Sequence, residues 1–128
     1  MDAPTLENLD LVCAKVGKTI AEMPSKELEN LVTIALAILE QQGIYVLFLF
    51  LKTRGGSGAE NVNQKIYEFL KVTPQQAPLL SDNADVFTSL QQMARDLDKL
   101  LLARDLVRQT LVYARYHARV PQKSEVRT

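Results

Sequence analysis

A chain of 128 residues, of which 47% are apolar and 23% charged, has the composition of one globular domain with a sizeable core rather than that of a disordered segment. The formal net charge of +0 excludes a global field that would draw the whole protein to nucleic acid or lipid, so only local patches could do so. The single cysteine, Cys13, cannot form an internal disulfide, and residues 1–10 lack the basic and apolar regions of a signal peptide. Both features favour a reducing, cytoplasmic environment.

The composition favours an all-α fold, because the five glycines and five prolines cluster at apparent joints and good helix formers fill the segments between them. From Pro4 to Met23, apolar residues recur every three or four positions, which predicts an amphipathic helix with Cys13 on its buried face. Pro24 ends this helix, and Ser25 is suited to cap the next one. We therefore interpret Cys13 as a buried structural residue and not as a nucleophile or metal ligand.

The most apolar segment of the chain runs from Ile44 to Leu51 and follows a polar interruption at residues 40–43. A membrane span needs about 20 mostly apolar residues in a row, and each apolar half here is shorter. A strand is disfavoured because alternation is absent and no second strand-like run exists to pair with. The segment is predicted to be a buried central helix, kinked or broken at Gly43, with Leu47 and Leu51 in the core.

This run has more apolar faces than one small bundle would cover. We expect one of Tyr45, Phe48 and Phe50 to remain exposed and to form an interface, because exposed apolar patches usually mark protein contacts. The interface would serve self-stacking or docking on a partner.

The glycine-rich stretch at residues 55–58, GGSG, is read as a loop and does not match a phosphate-binding P-loop, since no Gly-Lys-Ser/Thr follows it. Ser57 and Glu60 are three residues apart, which predicts a capping box for a third helix. That helix is expected to end before Thr73-Pro74.

Residues 72–84 are predicted to form a connecting loop with Leu79 and Leu80 tucked into the core. From Asp85 to Arg119 no glycine or proline interrupts the chain, which predicts one long final helix that closes at Val120-Pro121.

The sequence shows no internal repeat and no second domain. We predict a compact, single-domain helical bundle over residues 1–120, with a long basic C-terminal helix, and a disordered tail over residues 121–128. The charge is unevenly distributed, since residues 1–51 hold three Lys/Arg against seven Asp/Glu, and residues 52–128 hold twelve against eight.

Four arginines of the final helix account for most of this asymmetry. With Arg104 at zero on a helical wheel, Arg115, Arg108 and Arg119 fall at roughly 20°, 40° and 60°, along a length of roughly 22 Å. We call these four residues the arginine stripe. The broad opposite side of the helix, expected to pack inward, consists of Leu100, Ala103, Leu106, Val107, Leu111, Ala114 and Ala118.

A stripe of this kind suits a phosphate backbone, because arginine stays charged and its forked donors fit phosphate oxygens. The alternative is a solvated helix face whose arginines pair with acids of neighbouring helices, supplied by the acidic N-terminal half. Lys52 and Arg54 form a second basic spot at the end of the central helix, where cations also complement the helix dipole.

No catalytic or metal-binding pattern is recognisable. His117, the only histidine, has no acidic or cysteine companion at metal-ligand spacing. One histidine and one cysteine do not assemble a catalytic triad, and Asp96 and Asp98 point to different sides of a helix. We expect no catalytic residues, no metal and no cofactor.

Three segments together resemble the small α-helical subunit family of Cmr-type (type III-B) CRISPR RNA-guided effector complexes. A glycine introduces an apolar helix that ends in a basic residue, QQGIYVLFLFLK; a shorter helix with an aromatic-leucine end follows, KIYEFLK; and a long final helix closes on aromatic and basic residues, LVYARYHAR. The resemblance covers roughly residues 24–119. The closing aromatics here are tyrosines and the chain has no tryptophan, which departs from the pattern expected of many members.

The resemblance implies a non-catalytic, structural role in prokaryotic antiviral defence. Copies of such a subunit stack along the inside of the complex, between the large subunit and the backbone subunits that carry the guide RNA, and help to hold the duplex of guide and target RNA. Lys52, Arg54 and the arginine stripe would supply the RNA contacts. Target cleavage belongs to other subunits, and no membrane is involved.

Two other function classes stay open. One is a protein-only helical adaptor or scaffold whose basic face binds an acidic protein partner without RNA. The other is an enzyme that uses carboxylates or Cys13, which the residue pattern does not favour.

Overall fold

Six α-helices and no β-strand make up the part of the chain that the computed structural model describes, residues 8–22, 25–81 and 85–119. In chain order the helices are α1 (Leu9–Ile20), α2 (Lys26–Gln42), α3 (Ile44–Arg54), α4 (Gly56–Val72), α5 (Val86–Met93) and α6 (Leu97–Arg119). The predicted all-α, single-domain bundle is confirmed. The tail predicted over residues 121–128 lies outside the described residues.

Polar side chains at the N-caps explain where three helices begin. Asn8, Ser25 and Asp85 each accept a hydrogen bond from the backbone N–H three residues further on, at 3.0, 3.0 and 2.7 Å. Each bond satisfies one of the amide groups that the first helical turn leaves without a partner. The backbone donor at Thr88 is also the main reason that the pKa of Asp85 is lowered. Ser25 is confirmed as the cap of α2.

The apolar run from Ile44 to Leu51 lies in α3, as predicted. Gly43 separates α2 from α3. Its φ of 95° is a backbone conformation that residues with a side chain rarely adopt. Leu47 and Leu51 are fully buried, so the prediction that they belong to the core is confirmed. None of the described helices is both long and apolar enough to cross a membrane.

The predicted capping box of α4 is wrong. The helix already begins at Gly56, its N-cap is Gly55, and no side chain caps it among the described residues. Ser57 therefore lies inside the first turn. The reversal between α3 and α4 depends on positive φ values of 66° at Gly55 and 89° at Gly56, which glycine adopts at no steric cost. The end of α4 at Val72 and the burial of Leu79 and Leu80 agree with the sequence prediction.

The prediction of one continuous helix from Asp85 to Arg119 is also wrong. A turn at residues 94–96 separates α5 from α6, although it contains neither glycine nor proline. Asp96 begins the new helix, because its Oδ1 accepts hydrogen bonds from the backbone N–H groups of Asp98 and Lys99, at 3.1 and 3.3 Å. Aspartate favours this capping role over a position in the middle of a helix.

α6 packs mainly against α1 and α2, and its contacts show the direction of each neighbour. The Sγ of Cys13 donates to the carbonyl of Leu106 at 3.4 Å, whereas Gly17, one turn later, lies against Tyr113, so α1 and α6 run parallel. Burial raises the pKa of the Cys13 thiol. α2 runs antiparallel to α6, as the ion pairs described below establish. The predicted inward residues of α6 are buried except Leu100, which is half-buried, and buried Thr110 joins them.

Gly17 allows the closest approach between helices. A Cβ placed on it would lie 2.7 Å from the Cβ of Tyr113 and 2.8 Å from the carbonyl oxygen of Thr110. Only a residue without a side chain fits this distance, so glycine in the middle of α1 serves packing despite its low helix propensity.

Candidate functional site

The arginine stripe lies on the flank of α6 that borders α2, and two acidic residues of α2 face it. Glu40 lies near the N-terminal part of the stripe and Glu29 near its C-terminal part. The two acids are eleven residues apart, which places them about 16 Å apart on nearly the same face of a helix. Arg108 and Arg119 are also eleven residues apart, so the antiparallel helices present matching charges.

Two arginines of the stripe contact Glu40. One terminal nitrogen of Arg104 donates to the backbone carbonyl of Glu40 at 2.8 Å, and the Nε of Arg108 lies 3.7 Å from its carboxylate. That carbonyl is one of those that the last turn of a helix leaves without an intrahelical partner, and α2 has no basic residue in its last turn. Arg104 therefore supplies from α6 the positive charge that the C-terminus of α2 lacks. A neighbour on α6, Asp105, also lies 3.9 Å from Arg108.

Glu29 contacts one of the two remaining arginines. The Nε of Arg119 donates directly to the Glu29 carboxylate, whose side chain is 18% exposed. This hydrogen bond is the main reason that the pKa of Glu29 is lowered; the charge of Lys26, whose Nζ lies 3.8 Å from the carboxylate, and then that of Arg115 lower it further. The Nε of Arg115 is buried and makes no hydrogen bond within the described residues.

Two of the four stripe arginines, Arg108 and Arg119, therefore pair with acids of the N-terminal half, which is the alternative that the sequence left open. The helical wheel placed the four arginines on one face correctly, but that face adjoins an acidic helix and not open solvent. Arg108 and Arg119 keep side-chain exposures of 43% and 46%, so both can also be reached from outside. Arg115 is half-buried, so charge reversal at this position is expected to destabilise the fold.

Sequence analysis missed Glu29 and Glu40 as part of the site. The eleven-residue spacing shared by the two acids and by Arg108 and Arg119 was a usable signal. It becomes informative only when α2 and α6 are known to be antiparallel neighbours, which periodicity does not determine.

The second basic spot is separate from the stripe and lies at the C-terminus of α3. Lys52 and Arg54 are both exposed. The Nζ of Lys52 lies 5.7 Å from the ring centroid of Phe87, a cation–π contact, and its charge helps to lower the pKa of Asp85.

Arg54 lines a cavity of about 610 Å³ between the end of α1, the start of α2 and the start of α4. Glu22 and Glu27 line the same cavity, so its charges do not select an anion. The cavity was not predicted from the sequence.

Of the three aromatic residues, one of which was expected to remain exposed at an interface, Phe48 is fully buried and belongs to the core, so it does not serve this role. Tyr45 and Phe50 are partly exposed and pack against the core. The ring of Tyr45 lies 5.4 Å from that of Phe87, which attaches α5 to α3. Larger apolar exposures, which the sequence did not single out, occur in the first turns of α6, where Leu97 is 65% and Leu101 47% exposed.

The opposite flank of α6 has one polar cluster. The hydroxyl of Tyr113 donates to both carboxylate oxygens of Asp10, at 3.0 and 2.9 Å, and Gln109 donates to the same carboxylate at 3.3 Å. The bond to Asp10 raises the pKa of Tyr113, because it stabilises the protonated phenol.

Within the described ranges, no group of three or more His, Cys, Asp or Glu side chains is arranged to hold a metal ion. Comparison with known proteins adds no identification: no family model, no curated protein and no solved structure matches the chain.

Proposed function

We propose that the protein is a non-catalytic small subunit of a type III CRISPR ribonucleoprotein effector complex, in antiviral defence in a prokaryotic cytoplasm. In this role it stacks with other copies of itself, between the large and the backbone subunits. It contacts the backbone of the guide RNA–target RNA duplex through the basic residues of α6 and the end of α3.

The observation that supports the proposal most is the order of three segments. The first is α3, which Gly43 introduces and which has Lys52 and Arg54 in its last turn. The second is α4, with Phe69 and Leu70 near its end, and the third, after the short α5, is the long basic α6. The same order characterises the family that the sequence resembles.

Arg108 and Arg119 are the best candidates for phosphate contacts. Their side chains are nearly half exposed and sit on the same flank of α6. Arg104 is less suited to the role, because it already caps α2. Phosphate contacts would hold RNA without reading its sequence, as expected of a subunit that leaves recognition to base pairing.

Affinity purification of the tagged full-length chain from its host tests the assembly. We expect a ribonucleoprotein that contains a short guide RNA to co-purify with it. Recovery of the chain with protein partners alone, under conditions that preserve RNA, would contradict the proposal.

The RNA contact is tested in that assembly with the double variant Arg108→Gln/Arg119→Gln. We expect weaker RNA retention at every sequence and a salt dependence whose slope is shallower by about one unit for each arginine that no longer binds a phosphate. The matched control is Lys15→Gln/Lys18→Gln, which removes the same charge from exposed positions of α1. Equal effects of the two double variants would reject the stripe as an RNA contact.

A second candidate function is a protein-only adaptor whose basic face binds an acidic protein. This adaptor function is favoured because Arg108 and Arg119 already form ion pairs with carboxylates within the molecule. A partner that remains bound after ribonuclease treatment, and that is released by Arg108→Gln/Arg119→Gln but not by the α1 control, would favour this adaptor.

A further inference from the structure

Two acids of α2 contact guanidinium groups that a bound polyanion would need. Glu40 holds Arg104 through its carbonyl and Arg108 through its carboxylate, and Glu29 holds Arg119. Two of the four positive charges of the stripe are therefore paired with carboxylates in the folded, unbound protein, although all four arginines lie on one face.

The ion pair between Arg108 and Glu40 is weak enough to exchange. Arg108 and Glu40 are 3.7 Å apart with side chains 43% and 52% exposed, so water and salt screen their attraction. A phosphate, like a carboxylate, has a pair of oxygens that can accept hydrogen bonds from two parallel N–H groups of one guanidinium. Exchange of carboxylate for phosphate thus needs no rearrangement of the backbone.

The Glu29 end is more firmly closed than the Glu40 end. Glu29 is only 18% exposed, and it interacts with both Arg119 and Arg115. The buried Nε of Arg115 lacks a hydrogen bond in the described part of the chain, so this donor is unsatisfied. Loss of the Glu29 charge would remove the acid that interacts with Arg119, with Arg115 and with Lys26, whose Nζ lies 3.8 Å from the carboxylate.

We infer that Glu29 and Glu40 act as an internal carboxylate mask, which competes with phosphate for the arginine stripe and so weakens binding of RNA outside the assembled complex. The inference rests on the proposed function, since it concerns the regulation of the same surface. The inference goes beyond the proposed function because it assigns a role to two acids of α2. A mask of this kind restricts RNA binding to assemblies in which many copies of the protein line a continuous RNA backbone, whose phosphates can displace the carboxylates.

The test compares the full-length protein with Glu29→Gln/Glu40→Gln, using fluorescence anisotropy of a labelled oligouridine RNA several times longer than the stripe, over a series of NaCl concentrations. The matched control is Glu60→Gln/Glu68→Gln, which changes the net charge equally on α4, a helix that packs mainly on α1 and α3. Circular dichroism checks that each variant is folded.

We expect the mask variant to bind about 2- to 30-fold more tightly than the control, the range that two surface ion pairs would account for. Its salt dependence should be steeper than that of the wild type, because more cations are available to phosphate. Adding Arg108→Gln/Arg119→Gln to the mask variant should abolish the gain.

Equal affinities of mask variant and control overturn the inference. The proposed function nevertheless stands if Arg108→Gln/Arg119→Gln weakens wild-type binding more than Lys15→Gln/Lys18→Gln does. A gain that survives the loss of both arginines overturns the inference as well, since the mask would then act elsewhere. Absence of RNA binding in every variant, the mask variant included, overturns the inference, whereas the RNA contact itself is decided by the experiment on the assembled complex.

Discussion

The two flanks of α6 differ in both packing and chemistry. On the α1 side, Gly17 lets two parallel helices approach until their backbones nearly touch, and Cys13 and Thr110 are fully buried. On the α2 side, the rim of the interface consists of arginines and glutamates that are partly exposed. The difference indicates that the α1 flank fixes the position of α6, whereas the exposed Arg108–Glu40 pair on the α2 flank can exchange partners at little energetic cost.

The largest effect is expected at the close contact of the α1 flank. Gly17→Ala would place a methyl group within 3 Å of the Tyr113 Cβ and of backbone atoms of α6, so the helices would have to separate. We expect a loss of about 1–3 kcal/mol of unfolding free energy, typical of overpacking, in spite of the better helix propensity of alanine. Chemical denaturation followed by circular dichroism measures it.

The control for this substitution is Gly58→Ala in the first turn of α4. The added methyl would meet Leu31 at 3.6 Å, an ordinary contact. This variant should be as stable as the wild type, or more so by up to about 1 kcal/mol. Destabilisation of both variants by the same amount would show that the α1 flank is not specially close-packed.

A smaller effect is expected on the α2 flank, at the pair formed by Arg108 and Glu40. A double-mutant cycle with Arg108→Gln and Glu40→Gln should give a coupling of about 0.2–1 kcal/mol, the range of partly exposed ion pairs. It should decrease as salt is added. A coupling of several kcal/mol, insensitive to salt, would remove the contrast between the flanks and with it the premise that the stripe can exchange partners.

Acid should weaken the α2 flank. The pKa of Glu29 is lowered in the folded state, chiefly by the bond from Arg119, so its contribution is present above the unfolded pKa of about 4.3. That contribution is lost as the pH falls through the lower folded-state value. Glu29→Gln should therefore flatten the acid side of the stability curve, measured as the denaturation midpoint against pH. An unchanged acid slope would contradict the pairing.

High pH should instead weaken the α1 flank. The pKa of Tyr113 is raised in the folded state by its bond to Asp10, so its contribution is present below the unfolded pKa of about 10. It is lost as the pH rises through the higher folded-state value. Tyr113→Phe should reduce the alkaline loss of stability while leaving the acid side as in the wild type. The Cys13 thiol titrates in both proteins, so its effect cancels in the comparison.

Local sequence patterns determined the helices and most of the core. The spacing of apolar residues in α1 and α4, and the apolar run of α3, are properties of neighbours along the chain, so they predicted which residues would be buried. Gly43 marked a break for the same reason, since its backbone freedom is intrinsic to the residue.

Tertiary structure decided what the sequence could not. The break at residues 94–96 has no glycine or proline, and it forms where Asp96 caps a helix that packs on α1 and α2. The partners of the arginine stripe depended on which helix lies beside α6 and in which direction it runs. Periodicity places a charge on a face of its own helix, but the energy of that charge is set by groups far away in sequence, which only the packed bundle brings within reach.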